Sequence, residues 1–173
     1  VSRLEEILSS IMDFTKSIIL NKTMNNIKET IESSLFVLSN LIESNNIRVE
    51  YYDSASPEFQ FDNQKMKQVF INIFKNSVEA IIQKNGKNTE KTIKISVKEE
   101  GDKCRIIIID TGIGMGESEL KNLFAPFFTT KDKGTGLGMT IVKNIIQAHN
   151  GDIVMESQVN EWTRTLITLP LIK

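Results

Sequence analysis

The 173 residues contain one cysteine and one histidine, almost no net charge and no long apolar run. Cys104 has no partner for an internal disulfide, so a disulfide-built scaffold is excluded and a reducing compartment fits. It lies in phase with Ile106 and Ile108 on an apolar stretch, which marks it as a packing residue. Lys plus Arg number 21 against 22 Asp plus Glu. That balance points to neither nucleic acid nor an anionic membrane as a partner. The longest apolar runs, such as Ile106–Ile109, fall far short of a bilayer span. No signal peptide is expected, and no internal repeat or low-complexity segment stands out. A cytoplasmic setting is expected for these residues, and any membrane anchor would belong to a longer parent chain.

What is present is the composition of a globular domain: 40% hydrophobic and 25% charged residues, in a chain long enough for a real core. Residues 1–16 place Leu4, Ile7, Leu8, Ile11 and Met12 on one helical stripe. A second amphipathic helix is expected over 24–45, with Ile27, Ile31, Leu35, Leu38 and Leu41 on its apolar face. A short strand is expected at Ile18-Ile19-Leu20, and further strands at 46–52 and 58–61. A long helix should cover 63–84 and stop at Asn85-Gly86. Residues 91–99 and 103–110 read as a hairpin around Gly101-Asp102. A short helix is expected at 117–123. Another runs from the Gly134–Gly138 loop to about Ala148 and ends at Asn150-Gly151. Strands at 151–158 and 163–169 close the chain. The fold class implied is α+β, a two-layer α/β sandwich whose mixed sheet is covered on one face by helices.

Three features carry chemistry. On the long helix, Gln68, Asn72, Lys75, Asn76, Glu79 and Gln83 fall within an arc of roughly 100°. Nearly everything else between 66 and 82 is apolar. The strip is either solvated or faces a ligand. If it faces a ligand, Asn72 and Asn76 are one turn apart, and neutral amide oxygens suit Mg²⁺ carried by phosphates. Asp110-Thr111-Gly112-Ile113-Gly114-Met115 follows an apolar strand directly. A carboxylate there is costly unless it meets donors, and the glycines let a flat group approach the backbone. Gly134-Thr135-Gly136-Leu137-Gly138 opens a helix, where bare N–H groups form an anion site. Each loop by itself is also compatible with an ordinary glycine turn. Neither the GxxxxGK[ST] loop, the GxGxxG fingerprint nor an HRD or DFG tripeptide occurs.

In this order and spacing, the Asn-bearing helix, the DxGxG loop, the Phe-rich segment and the GxGxG loop resemble the N, G1, F and G2 boxes of the GHKL superfamily. Gyrase, Hsp90, MutL and histidine kinases belong to it and share the Bergerat ATP-binding fold. The resemblance covers almost the whole chain. The stretch Phe124–Met139 is similar, more narrowly, to sensor histidine kinases of the nitrogen-regulatory and sporulation-kinase type.

The resemblance implies a catalytic domain that binds ATP or ADP with Mg²⁺ and passes the γ-phosphoryl group to a histidine on a helix-bundle domain. A response regulator would act downstream, and the parent would be a homodimer. It also implies roles for residues. Asn76 would ligate Mg²⁺, and Asp110 would accept from the adenine amino group. Gly112 and Gly114, with Met115, would lie along the base. Gly134, Thr135, Gly136, Leu137 and Gly138 would form the phosphate loop. Lys131 and Lys133 in the lid would reach phosphate oxygens, and Phe127 and Phe128 would anchor the lid. Catalysis would rest on Asn72, Asn76 and Lys131.

Four departures from the wider pattern matter. Asn72 stands where gyrase-like and Hsp90-like ATPases carry a water-activating Glu, and an amide is no general base near neutral pH. Glu79 and Ala80 replace a Lys and an aromatic of the largest sensor-kinase group, leaving one phosphate contact to the lid. The family's GTxF becomes Trp162-Thr163-Arg164-Thr165, so Thr163 is the expected support for Asp110. His149, the sole histidine, matches no acceptor motif. Residues 1–17 would be the remnant of the second helix of the phosphoacceptor domain, and 18–173 the ATP-binding domain. The alternatives on this fold are an ATPase clamp and an anti-sigma-type serine kinase. A degenerate domain that binds partners without ATP is the third.

Overall fold

A computed structural model describes residues 18–84, 90–131 and 134–172. The expected helix at 1–16, the break at Asn85-Gly86 and Lys133 lie outside the described residues. The chain order is β1 (Thr23–Asn26), α1 (Ile27–Val37), α2 (Ser39–Ser44), β2 (Arg48–Ser54), β3 (Glu58–Phe61), α3 (Asn63–Gln83), β4 (Thr92–Glu100), β5 (Lys103–Asp110), α4 (Glu117–Asn122), α5 (Gly138–Ala148), β6 (Asp152–Gln158) and β7 (Trp162–Pro170).

Five strands form one mixed sheet in the order β2-β4-β5-β7-β6. Only the β2–β4 pair is parallel. The alternation read from the sequence sets the faces. Ile93, Ile95 and Val97 of β4, Cys104, Ile106 and Ile108 of β5, and Ile167 and Leu169 of β7 are all buried. They meet a layer in which α3 lies between α1 and α5. From α3 come Met66, Val69, Phe70, Ile73, Phe74, Val78 and Ile81, with the Phe70 and Phe74 rings stacked. The expected sandwich is therefore present, with the helices on one face. Burial, followed by the charge of Glu99, pushes the Cys104 thiol up to about 12, so it is an inert packing group as anticipated.

Two expectations fail near the start. Ile18-Ile19-Leu20 forms no strand, and Ile19 is exposed. The strand lies at Thr23–Asn26 and pairs antiparallel with β3, Thr23 opposite Phe61. That pairing holds residues 24–26 extended, so the helix starts only at Ile27. Asn26 caps it, its side-chain oxygen accepting from Lys28 N and Glu29 N. The expected single helix over 24–45 also breaks at Leu38, whose N–H turns back to the Leu35 carbonyl at 2.9 Å. Beyond it the buried face continues from Leu38 to Ile42, whose N–H meets the Leu38 carbonyl at 3.0 Å, and the predicted Leu41 is exposed.

His149 explains how α5 is tied to α3. It is buried. Its Nδ1 meets the Ile145 carbonyl at 2.8 Å, and its Nε2 accepts the Asp62 N–H at 3.0 Å. Asp62 in turn caps α3 by accepting from Lys65 N. These partners require the neutral Nδ1–H tautomer, and burial lowers the imidazole pKa. The stability tied to this group is present above its unfolded value and is lost as pH falls through the lower folded one. His149→Ala orphans the Asp62 N–H and leaves a void. The expected loss is about 2–4 kcal/mol, read as a lower urea midpoint at unchanged slope.

Candidate functional site

One end of the site is built on Asp110, the last residue of β5. Its side chain is only 4% exposed. Oδ2 accepts from Ser77 Oγ at 2.8 Å and Oδ1 from Gly112 N at 3.0 Å. Burial pushes the carboxyl up to about 6, against the pull of Ser77, Gly112 and the charge of Lys84. The loop beyond it is pinned from both sides. Ile113 N donates to Ala80 O at 3.1 Å, Asn160 N to Ile113 O at 2.6 Å, and Met115 N to Ser157 Oγ at 2.8 Å. Gly112 has no room for a side chain, because a Cβ would lie 2.6 Å from the Cβ of Ala80. Gly114 adopts φ +66, and a Cβ there would meet Gln158 O at 2.0 Å. The small Ala80 and these glycines keep the backbone low beside the carboxylate.

The other end is built on the polar strip of α3. Lys131 crosses from its loop and places Nζ 2.7 Å from Asn76 Oδ1. The same ammonium is paired with Glu79 Oε2. Two oxygens one helical turn apart thus converge on one cation, which is the donor chemistry a hard divalent ion needs. A Cβ on Gly138, the first residue of α5, would have Asn72 Oδ1 as its nearest neighbour at 3.7 Å. Asn72 therefore faces the start of α5. From Asn72 to Ala80 the helix runs about 12 Å, linking the start of α5 to the carboxylate end. Of the other predicted loop residues, Leu137 is buried in the core. Its N–H turns toward Thr135 Oγ1 at 3.4 Å. Gly134 lies against Thr129, and Gly136, at φ +68, against the Phe127 backbone.

Phe127 is 63% exposed with φ 64, its backbone lying against Gly136. Phe124 packs on the core beneath Lys143, whose Nζ is 5.3 Å from the ring centre. One placement differs from expectation. Thr163 is opposite Asp110 in the β5–β7 register, yet its hydroxyl pairs with Ser157 at 2.9 Å. The hydroxyl on Asp110 belongs to Ser77, which sequence reasoning missed. Ser77 points off the polar strip among apolar neighbours, and only the register of β5 reveals its partner. Among the described residues, no three His, Cys, Asp or Glu side chains converge to hold a metal by themselves. No described helix is long and apolar enough to cross a membrane.

A family profile described as histidine kinase-, DNA gyrase B-, and HSP90-like ATPase matches residues 61–173. The chain belongs to this ATPase family. Within the family its likeness runs to sensor kinases. It is 34% identical over 173 residues to sporulation kinase E of Bacillus subtilis (strain 168), covering 99% of this chain and 23% of that protein. It is 30% identical over 170 residues to the sensor histidine kinase ZraS of Escherichia coli (strain K12), covering 98% of this chain and 35% of that one. The chain thus spans between about a quarter and a third of these relatives. Among solved structures, the nucleotide-free catalytic domain of histidine kinase ThkA superposes with TM-score 0.75 at 29% identity, covering 88% of this chain and 97% of that one. ThkA in complex with the response regulator TrrA gives TM-score 0.78 at 28% identity, covering 98% and 47%. The ATPase family's fold and a nucleotide-using site are therefore those of this chain, and its likeness is to histidine kinase catalytic domains.

Proposed function

We propose that the chain binds Mg-ATP and transfers its γ-phosphoryl group to a histidine on a helix-bundle phosphoacceptor domain, within a two-component system that ends on a response regulator. The observation that carries this reading is the pair of ends joined by α3. A buried, twice-donated carboxylate stands at one end, and oxygen donors gathered around a single ammonium stand at the other. Asp110 accepts from the adenine amino group, with Gly112, Gly114, Met115 and Ala80 beneath the base. Asn76, with Glu79 beside it, is suited to Mg²⁺, which would neutralise phosphate charge when bound. The loop Gly134, Thr135, Gly136, Leu137 and Gly138 would cradle the phosphates at the start of α5, with the N–H groups of Gly134 and Leu137 leaving Lys131 O and Thr135 Oγ1 to do so.

Lys131, carried by the lid, exchanges its contact with Asn76 for phosphate oxygens, and Lys133 is proposed to join it. In the transfer, the bond from the γ-phosphorus to the β,γ-bridging oxygen breaks and ADP leaves. A bond to an imidazole nitrogen forms, and that ring gives up its N–H proton. The chain's share is positioning and charge stabilisation. Asn72 faces the start of α5 without a basic group, which supports transfer over hydrolysis. The buried, hydrogen-bonded His149 is no acceptor. The acceptor domain, the homodimeric parent and its cytoplasmic kinase half belong to this same proposal.

Calorimetric titration with ATP, with and without Mg²⁺, tests the binding half. The expected result is saturable binding that weakens at least tenfold without Mg²⁺, on the order of 1.4 kcal/mol. Absence of binding to ATP and ADP under both conditions would favour a degenerate domain that works through partners alone.

A further inference from the structure

Ser77 directly follows Asn76 but points away from the polar strip and into the core, where it is 4% exposed. Its Oγ donates to Asp110 Oδ2 at 2.8 Å, while Gly112 N donates to Oδ1 at 3.0 Å. Thr163 lies across the sheet from Asp110. Its hydroxyl is engaged by Ser157, which also accepts from Met115 N and donates to Trp162 O. We propose that Ser77, and not Thr163, is the positioning residue that holds Asp110 as a hydrogen-bond acceptor, and that it thereby sets the preference for a 6-amino purine over a 6-oxo purine. The proposal rests on the reading of Asp110 as the residue that contacts the base.

The protonation state of Asp110 decides which groups it can pair with. An ionised carboxylate only accepts, so it suits an exocyclic amine and repels a carbonyl oxygen. A protonated one can donate and admits the 6-oxo group. Burial favours the protonated form, and the hydroxyl of Ser77 opposes it. The neighbours that face Asp110 add little charge. From β4 comes Ile93, from β7 Thr163, and from the loop Gly112. Lys84, at the end of α3, is the charge acting on it, and its ammonium is already held by the carbonyls of Thr111 and Glu161. Ser77 is therefore the side chain whose hydrogen bond helps keep Asp110 an acceptor near neutral pH. Thr163 works through Ser157 to pin the loop that passes Met115.

The test compares ADP with inosine diphosphate, both with Mg²⁺, by calorimetry from pH 5 to 8.5. Wild type, Ser77→Ala and Thr163→Val are measured, with thermal melts to confirm that each is folded. Ser77→Ala should move the midpoint of the ADP affinity profile upward by about one pH unit. It should also shrink the ADP-over-inosine-diphosphate ratio at pH 7 by roughly fivefold or more, and raising the pH should restore ADP binding. An unchanged midpoint in Ser77→Ala, or a shift produced by Thr163→Val instead, overturns the proposal. A wild-type chain that binds the two diphosphates equally at every pH refutes the reading of Asp110 itself, and so fails at a different point.

Discussion

Asn76→Ala should lower the rate of phosphoryl transfer by about a hundredfold or more, the scale set by removing one preorganised electrostatic contact at a reacting group. The change strikes twice. It deletes the amide oxygen that fits Mg²⁺, and it deletes the 2.7 Å contact that keeps Lys131 over the polar strip until it turns to phosphate. Glu79 keeps its pairing with Lys131, so the lysine stays near α3 while the neutral ligand is gone. The loss should appear mainly in the transfer rate at saturating ATP. Single-turnover kinetics across a range of Mg²⁺ concentrations separate the two effects. A variant fully rescued by excess Mg²⁺ has lost metal affinity alone; one that remains slow has lost positioning as well. Wild-type rates at limiting Mg²⁺ would remove Asn76 from the site. Fold damage is a poor rival explanation, because Asn76 lies on the partly exposed strip and not in the core.

Asp110→Asn should weaken ATP and ADP by about 1–3 kcal/mol, roughly tenfold or more in affinity. An amide satisfies at most one of the two donors now aimed at the carboxylate, Ser77 Oγ and Gly112 N. Its NH₂ then faces either a donor or the base. The pH behaviour is the sharper sign. The folded carboxyl sits at about 6 against an ordinary value of 3.8, so the folded chain holds this proton more tightly than the unfolded one. Its contribution to stability is fully present below 3.8 and is lost as pH rises through about 6, on the order of 3 kcal/mol in all. An adenine amino group favours the ionised form. Wild-type affinity should therefore be flat above about pH 7 and decline below about 6. Proton release on binding at about pH 5.5 should show as a dependence of the heat on the buffer's ionisation enthalpy. The Asn variant should show neither decline nor release. A wild-type profile that stays flat down to about pH 5 contradicts this account.

Much of the fold is legible in the residues alone. The alternation along β4, β5 and β7 yields both the hairpins and the buried face, because a one-residue slip would carry Ile106 and Ile108 to solvent. The excess of apolar positions on α3 announces a helix covered on most sides. The two glycine loops and the asparagine pair are readable because each needs a particular backbone or side-chain chemistry at fixed spacing. What escapes depends on partners distant in sequence. Strand β1 exists only through its pairing with β3, so the local apolar run at Ile18–Leu20 misplaces it. The break at Leu38 turns on one carbonyl exchange, which periodicity does not register. Thr163 is the best hydroxyl for Asp110 that the sequence offers, since the strand register does put it opposite. Ser157 engages that hydroxyl, and Ser77, 33 positions before Asp110, supplies the bond. The sequence around His149 matches no acceptor motif but says nothing of its purpose. Its buried bonds to Ile145 and Asp62 show what it does instead.

Transfer of phosphate to a histidine can be measured directly. The chain is incubated with γ-labelled ATP and Mg²⁺, alone and with a separately produced phosphoacceptor bundle domain of its parent kinase. Alone it should bind ATP, carry no label and release phosphate slowly, since Asn72 offers no base and His149 is buried. With the bundle, label should appear on the bundle histidine only, stable to base and lost in acid. Label on serine or threonine, or rapid phosphate release without transfer, would contradict the account.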